Sequence, residues 1–260
     1  MSRIRSKFDL TGKTAIVTGA SKGIGESIAR GFAEFGANVV VSSRKQEAVD
    51  AVAASFKKDG LSAIGIECHV AKEDHQVRLV EKTMEAFGRV DILVNNAGTN
   101  PYFGPVDKMP MHLFDKTMDI NMKPCIQISN LVYPHMKEQC GGSIMHVSSI
   151  EGIHATANFT AYNTTKAAVI MLTKNQAIEW GAHNIRVNCI CPGFVKTKLS
   201  AALWQNEEIY KGMMKAIPLS RMAEPDEMAG LACFLASDAA SYCTGEVFVN
   251  DGGILNANLF

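Results

Sequence analysis

The stretch Thr14-Ala-Ile-Val-Thr-Gly-Ala-Ser-Lys-Gly-Ile-Gly25 combines three signals that together decide the fold. Residues 14–18 are a short apolar and β-branched run, which predicts a buried strand. Glycines follow, and an amphipathic helix is predicted after them because apolar side chains recur at spacings of three and four, at Ile24, Ile28, Phe32 and Phe35. A strand, a glycine-rich turn and a helix in this order predict the start of a parallel βαβ unit.

The same alternation continues along the chain. Further apolar strands are predicted at residues 38–42, 62–68, 91–95, 142–148, 185–189 and 246–250. Helical patterns are predicted at residues 45–59, 73–87 and 161–179. Strands that are apolar nearly throughout and are separated by helices indicate a parallel sheet covered on both faces. We therefore predict an α/β fold: a single doubly wound, Rossmann-like domain over residues 1–260, with a seven-stranded parallel sheet and helices on both faces.

Composition excludes several classes of partner. The chain has 260 residues with 26 Lys+Arg and 26 Asp+Glu, so its balanced charge gives no electrostatic reason to expect nucleic acid. No charge-free stretch reaches about 18 residues, so no membrane span is expected. The basic N-terminus lacks an apolar signal segment, and the 7 cysteines are odd in number without a Cys-x-x-Cys pair. We therefore expect a cytoplasmic protein with reduced thiols and no metal site.

The glycine-rich turn is suited to bind a phosphate group. Bare backbone can approach a pyrophosphate there, and the following helix N-terminus supplies free N–H groups and positive potential. The alternative is that the glycines only form a tight turn, but their position between strand and helix favours dinucleotide binding. The predicted cofactor contacts of this turn are Gly19, Ser21, Lys22, Gly23, Ile24 and Gly25.

The end of the second strand distinguishes between the two nicotinamide cofactors. An NAD site usually places an acidic side chain there to bind the ribose hydroxyls. This chain has Ser43 and Arg44, and an arginine can bind a 2′-phosphate through two parallel hydrogen bonds. Lys22 adds a second cation on the same side. We therefore predict NADP(H) as the cofactor; the alternative for Arg44 is a solvated loop charge.

Two Tyr-x3-Lys pairs occur, Tyr133/Lys137 and Tyr162/Lys166. Their context separates them, because only the second pair follows a predicted strand with a hydroxyl, Ser149, directly after its last residue. A hydroxyl at a strand's carboxyl end and a Tyr/Lys pair on the next helix can converge above a nicotinamide. The alternative for Tyr162 and Lys166 is an ordinary pair on a helix surface.

These motifs together resemble the short-chain dehydrogenase/reductase family. The resemblance covers residues 9–253 and rests on motifs in the family's order and spacing: Thr18-Gly-x3-Gly-x-Gly25, Asn95-Asn-Ala-Gly98, Asn121, Ser149, Tyr162-x3-Lys166, Pro192-Gly193 and Asp251-Gly-Gly253. Four shorter segments resemble NADPH-dependent carbonyl and retinal reductases of that family: Ser42-Ser-Arg-Lys45, Cys68-His-Val70, Asn95-Asn-Ala-Gly-Thr-Asn-Pro101 and Ser148-Ser-Ile-Glu-Gly152.

The resemblance assigns expected roles to these residues. Tyr162 would donate a proton to the carbonyl oxygen, Ser149 would polarise that oxygen, and Lys166 would favour the phenolate and bind ribose hydroxyls. Asn121 would bind a water that links Lys166 to solvent, or, alternatively, serve as an amide at a helix bend. Further cofactor contacts are expected from His69, Val70, Asn96, Ala97, Gly98, Pro192, Gly193, Val195 and Thr197.

The chain departs from the family pattern in two places. His69 stands where most members carry Asp beside the adenine, and a neutral imidazole accepts through one nitrogen only, so a loop-packing role is an equal alternative. Peroxisomal relatives end in a Ser-Lys-Leu-like tripeptide, which Asn258-Leu259-Phe260 does not match, so a peroxisomal location is unsupported. The homotetramers common in the family, the apolar tail Ile254-Leu255 and the apolar helix 162–180 favour a homotetramer, with a dimer as the alternative. Packing of these apolar residues in the core of a single chain is the alternative explanation for them.

Function is expected to divide along the chain. Residues 9–150 form the predicted NADP-binding half, and residues 151–260 the catalytic and substrate half. The polar, methionine-bearing segment 194–223 is predicted to be a substrate lid, with a plain surface excursion as the alternative. We predict an NADPH-dependent reductase of ketones and aldehydes, including α-dicarbonyls, quinone-like and aromatic carbonyls and retinal as a candidate. The alternatives are an oxidative hydroxysteroid or retinol dehydrogenase and a non-catalytic NADP-bound scaffold or sensor.

Overall fold

One parallel sheet organises the chain. The computed structural model describes residues 3–257, and the tripeptide 258–260 discussed above lies outside them. The strands run in the order β3-β2-β1-β4-β5-β6-β7, and all neighbours are parallel. Their bounds are β1 Thr14–Thr18, β2 Asn38–Ser43, β3 Ala63–Glu67, β4 Ile92–Asn95, β5 Gly142–Val147, β6 Ile185–Pro192 and β7 Val247–Asn250. The predicted doubly wound α/β fold is confirmed.

Helices cover both faces of the sheet. Their bounds are α1 Gly23–Glu34, α2 Gln46–Lys58, α3 Glu73–Phe87, α4 Met111–Asn121, α5 Lys123–Glu138, α6 Thr160–Trp180, α7 Ala201–Trp204, α8 Glu207–Ala216 and α9 Asp226–Ala236. The segment that holds α4 and α5 had no predicted element. Between residues 3 and 257, no helix combines the length and the apolar character needed to span a bilayer.

Two apolar cores result, one on each face. Phe32 of α1, Phe56 of α2 and Leu235 of α9 belong to the core on one face. Leu79 of α3 and Ile128 of α5 belong to the core on the other. Each of these side chains is at most 1% exposed, and the central strands β1 and β4 between the two cores are buried throughout, as expected for a sheet covered on both faces.

The sixth strand is longer than predicted, whereas the bounds of the seventh agree with its prediction to within one residue. Strand β6 continues to Pro192 rather than ending at residue 189, because residues 189–192 pair with β7 over its whole length. This extension carries Pro192 and Gly193 to the carboxyl edge of the sheet. At the same edge β1 lies beside β4, where the strand order reverses, and such a reversal opens a crevice for ligands.

Candidate active site

A cavity of about 1240 Å³ lies at this carboxyl edge. Every residue predicted to contact the cofactor lines it, from Gly19 in the glycine loop to Thr197 beyond β6. Ser149, Tyr162 and Lys166 line the same cavity. Asn121 is the one predicted site residue that does not.

The glycine loop closes tightly against the loop after β4. Gly19 has a φ of +67°, and a Cβ there would lie 2.9 Å from the Cα of Ala97. A Cβ on Gly25 would lie 2.6 Å from the Gly19 carbonyl oxygen and would also collide with the Asn96 amide. Bare backbone is therefore required at both positions, and the α1 N-terminus, whose N-cap Lys22 makes no side-chain cap, faces the cavity with free N–H groups.

Thr18 and Asn96 hold that closure. The Thr18 hydroxyl accepts from the Asn96 backbone N–H at 3.0 Å, and the Asn96 side-chain amide donates to the Thr18 carbonyl oxygen at 2.9 Å. The Thr18 hydroxyl was absent from the predicted site residues, although its place before the first glycine marked it. Asn96 thus fixes the glycine loop with its side chain while it lines the cavity.

The other end of the cavity carries a free guanidinium. Ser43 ends β2, and the exposed Arg44 that follows has no ion-pair partner among residues 3–257. The exposed Lys22 likewise has none within that part of the chain. Two unpaired cations and a hydroxyl therefore line the same cavity as the glycine loop, and this combination suits a phosphate group.

His69 lies beside this end, but its ring is partly committed. The Ala71 backbone N–H donates to His69 Nδ1 at 3.3 Å, which leaves Nε2 as a donor in the neutral ring. Burial lowers the pKa of His69, and the nearby charges of Arg44 and Lys72 lower it further. Its ring therefore presents no acceptor to adenine amino hydrogens, and these contacts fit the loop-packing alternative.

Hydrogen bonds connect the catalytic candidate Lys166 of α6 to the carboxyl end of β5. Lys166 is only 4% exposed, and its ammonium donates to the Val147 carbonyl oxygen at 2.7 Å. Ser148 Oγ donates to the Lys166 carbonyl oxygen at 2.8 Å, which ties α6 to the strand end. The Lys166 Nζ lies 5.6 Å from the centre of the Tyr162 ring. Ser149 Oγ accepts from the Glu151 backbone N–H at 3.1 Å, so its own proton remains available to donate.

Asn121 occupies a structural position behind this group. Its side chain accepts from the Thr99 N–H at 2.8 Å and donates to the Thr99 carbonyl at 2.9 Å and to Thr165 Oγ1 at 3.2 Å. It ends α4 at the break before α5, as the helix-bend alternative describes. Gly98 lies between it and Lys166, since a Cβ on Gly98 would lie 3.7 Å from both side chains.

The buried His146 of β5 forms hydrogen bonds through both of its ring nitrogens. His146 Nδ1 faces the Asn95 amide at 3.2 Å, and Nε2 faces Gln176 Oε1 at 2.8 Å, so Nε2 carries the proton of the neutral ring. Burial lowers the pKa of His146 to about 4. The bond to Gln176 joins β5 to α6.

This depressed pKa predicts acid sensitivity. The pKa of His146 is about 6.5 in the unfolded chain and about 4 in the folded protein. Between these values the unfolded chain binds a proton that the folded protein does not bind, so the free energy of unfolding falls as the pH falls through this range. We expect roughly 2–3 kcal/mol to be lost through this group between about pH 7.5 and 4.5. Urea unfolding at both pH values, compared with His146→Gln, measures it. Equal losses in the two proteins would contradict the prediction.

The segment after β6 contributes residues to the lining of the cavity. Its two ends are joined by a parallel bridge between Val195 and Ala223 and by an ion pair between Lys196 and Glu224 at 2.7 Å. The helices α7 and α8 lie within it. The position of this segment was predicted from the sequence. Its cavity-lining residues beyond Thr197 were not predicted; they include Leu199, Leu203, Trp204 and Gln205.

This chain is similar in sequence and in structure to proteins of known family. A family model described as Enoyl-(Acyl carrier protein) reductase matches residues 19–255. A solved gluconate 5-dehydrogenase from Burkholderia cenocepacia J2315, in complex with NADP and tartrate, is 32% identical with a TM-score of 0.93 and covers 97% of this chain and 99% of its own. A 7α-hydroxysteroid dehydrogenase complexed with NADH and 7-oxo glycochenodeoxycholic acid is 36% identical, with a TM-score of 0.92 and 96% of each chain covered.

The chain belongs to the short-chain dehydrogenase/reductase family, whose members are oxidoreductases of alcohol and carbonyl groups. The Homo sapiens protein dehydrogenase/reductase SDR family member 4 is 44% identical over 244 residues, which are 94% of this chain and 88% of the human one. The resemblance predicted from the motifs is thereby confirmed.

Proposed function

We propose that the protein is an NADPH-dependent carbonyl reductase that converts ketones and aldehydes to alcohols. One observation carries the proposal: Ser149, Tyr162 and Lys166 line the same cavity as the glycine loop and Arg44. A protein that only bound a nucleotide would have no need of this hydroxyl, phenol and ammonium together.

The residues present fit NADP(H). Gly19 and Gly25 leave the bare backbone that a pyrophosphate requires, and the α1 N-terminus favours its charge. Arg44, Ser43 and Lys22 would bind the 2′-phosphate. Lys166 would bind the ribose next to the nicotinamide, and Pro192–Thr197 would cover the ring. When bound, NADPH supplies the hydride that reduces the carbonyl carbon.

Side chains of the protein would supply the proton to the carbonyl oxygen and stabilise the negative charge that develops during the reaction. Ser149, whose Oγ accepts from Glu151, would donate its proton in a hydrogen bond to the carbonyl oxygen and so orient it. Tyr162 would give its phenolic proton to that oxygen as negative charge develops there. Lys166 is buried and held by Val147, so its ammonium would stabilise the phenolate that Tyr162 becomes.

The motif resemblance to carbonyl reductases and the similarity to dehydrogenase/reductase SDR family member 4 support the reduction of organic carbonyls. α-Dicarbonyls, quinone-like and aromatic carbonyls are the proposed substrates, with retinal as a candidate. The second candidate function is oxidation of a hydroxysteroid, which the likeness to a hydroxysteroid dehydrogenase favours. The unpaired cations at Arg44 and Lys22 favour the first, since cells keep NADP reduced.

A spectrophotometric assay tests the proposal. The purified protein is mixed with diacetyl, isatin or a 3-ketosteroid, and oxidation of NADPH or NADH is followed by absorbance. We expect NADPH-dependent turnover of diacetyl or isatin, with NADH much less effective. No turnover of any carbonyl, in either direction, would contradict the proposal and favour a non-catalytic role.

Assembly is part of the proposal. Met171 and Ile178 on α6 are 57% and 82% exposed, an apolar surface that a second copy would cover. Ile254 and Leu255, which the sequence suggested would add to it, are half-buried. We propose a homotetramer, with a dimer as the alternative, and sedimentation equilibrium distinguishes both from a monomer.

A further inference from the structure

One carboxylate lies among the cations that line the cavity. Of its lining residues in the described part of the chain, Glu151 alone is acidic, whereas Lys22, Arg44, Lys45, Lys116, Lys166, Lys196 and Lys198 are basic. Glu151 belongs to the short turn Ile150–Gly152 that follows Ser149. Its backbone N–H donates to Ser149 Oγ at 3.1 Å. The carboxylate is therefore carried on the same turn as the serine that would hold the carbonyl oxygen.

The direction of this carboxylate is fixed by Thr156. Its two oxygens accept from the Thr156 backbone N–H at 3.2 Å and from the Thr156 hydroxyl at 2.8 Å. Within residues 3–257, no lysine, arginine or histidine forms an ion pair with it. Its negative charge is hydrogen-bonded but is not paired with a cation, and Glu151 lines the same cavity as Ser149 and Tyr162.

The nearby cations do not cancel that charge. Lys166 is committed to the Val147 carbonyl, and Lys196 is paired with Glu224 at 2.7 Å. Lys116 and Lys198 are exposed, so water screens them. The Glu151 backbone N–H lies 3.1 Å from Ser149 Oγ, so the two residues share one tight turn. Like charges about 7 Å apart in a partly buried site repel by an amount equivalent to roughly a tenfold change in affinity.

We infer that Glu151 is a specificity-determining residue that selects uncharged carbonyl compounds and discriminates against those with a carboxylate next to the carbonyl group. The inference rests on the proposed reductase function and names its substrate class: neutral ketones, aldehydes and diketones rather than α-keto acids. A carboxylate attached to the reacting carbon would lie near Ser149 and therefore near Glu151, whereas an ester at the same place carries no charge.

A matched pair of substrates tests this. Methyl benzoylformate and benzoylformate share an aryl ketone and differ in one charge. With NADPH, wild-type kcat/KM should favour the ester by at least about tenfold. Glu151→Gln should reduce that ratio by about tenfold through a lower KM for the acid, with the ester little changed. Glu151→Asp, which keeps the charge, should retain discrimination.

A control removes the same charge elsewhere. Glu246 is exposed and does not line the cavity, so Glu246→Gln should leave the ratio at its wild-type value. If Glu151→Gln reduces the ester normally but keeps the wild-type ratio, the inference is overturned while the proposed function stands. If wild type reduces neither compound nor any other carbonyl, both are overturned. Loss of discrimination in Glu151→Asp would also overturn the inference.

Discussion

Tyr162→Phe is expected to lower kcat for ketone reduction by at least about a hundredfold, the low end for removal of a proton-transfer group. The phenylalanine ring retains the place of the phenol in α6 beside Phe159 and Lys166, so only the hydroxyl is lost. Without the Tyr162 hydroxyl, the substrate carbonyl oxygen has no proton donor whose phenolate Lys166 can stabilise. Steady-state kinetics with diacetyl and NADPH measure the loss, and fluorescence titration should show nearly unchanged NADPH binding.

The chain contains its own control for this variant. Tyr133 stands at the same spacing before Lys137, but its hydroxyl lies 3.2 Å from His183 Nδ1 and its ring stacks on Trp180, outside the cavity. Tyr133→Phe should therefore keep kcat close to that of the wild type. A Tyr162→Phe enzyme with half the wild-type kcat would refute the role of Tyr162.

The double variant Ser43→Asp/Arg44→Ala is expected to reduce the preference for NADPH over NADH by roughly a hundredfold or more. The change removes a charge-assisted hydrogen-bond donor and adds a carboxylate that repels a 2′-phosphate while it can bind ribose hydroxyls. Arg44 has no ion pair with another described residue, so its loss leaves no buried charge behind. The ratio of kcat/KM for the two cofactors measures the effect.

Arg78→Ala is the matched control for that experiment. Arg78 is an exposed arginine on α3 that pairs with Asp74 at 3.0 Å and does not line the cavity. Its removal changes the net charge by the same amount as Arg44→Ala and should leave the cofactor ratio unchanged. A double variant that kept the wild-type ratio would show that Ser43 and Arg44 do not select the cofactor.

The predictable parts of the fold are those with local causes. Strands β1 to β5 and the helices α1, α2, α3 and α6 follow from apolar runs and helical spacing, and their bounds agree within about two residues, the usual uncertainty at element ends. The continuation of β6 to Pro192 depends on pairing with β7, more than 50 positions away. The break between α4 and α5 is fixed by the Asn121 bonds to Thr99, 22 positions away.

The candidate site divides in the same way. The glycine loop, Arg44, Ser149, Tyr162 and Lys166 could be located from motifs, because the chemistry requires those residue types at those strand ends. Two features of the site depend on loop conformation, which no spacing rule reveals. One is the hydrogen bond from the Ala71 N–H to His69 Nδ1, and the other is the hydrogen bond from the Thr156 hydroxyl to the Glu151 carboxylate. The segment 194–223 could be located from its polar composition, whereas the placement of Trp204 in the cavity required the folded chain.

The most direct test of the account is a crystal structure of the complex with NADP⁺, because the central claim is that one cofactor joins the Arg44 end of the cavity to the Tyr162 end. We expect the 2′-phosphate against Arg44 and Ser43, the pyrophosphate on the glycine loop, and the Tyr162 hydroxyl facing C4 of the nicotinamide. A complex in which that hydroxyl points away from C4, with no side-chain rotamer that returns it, would contradict the account.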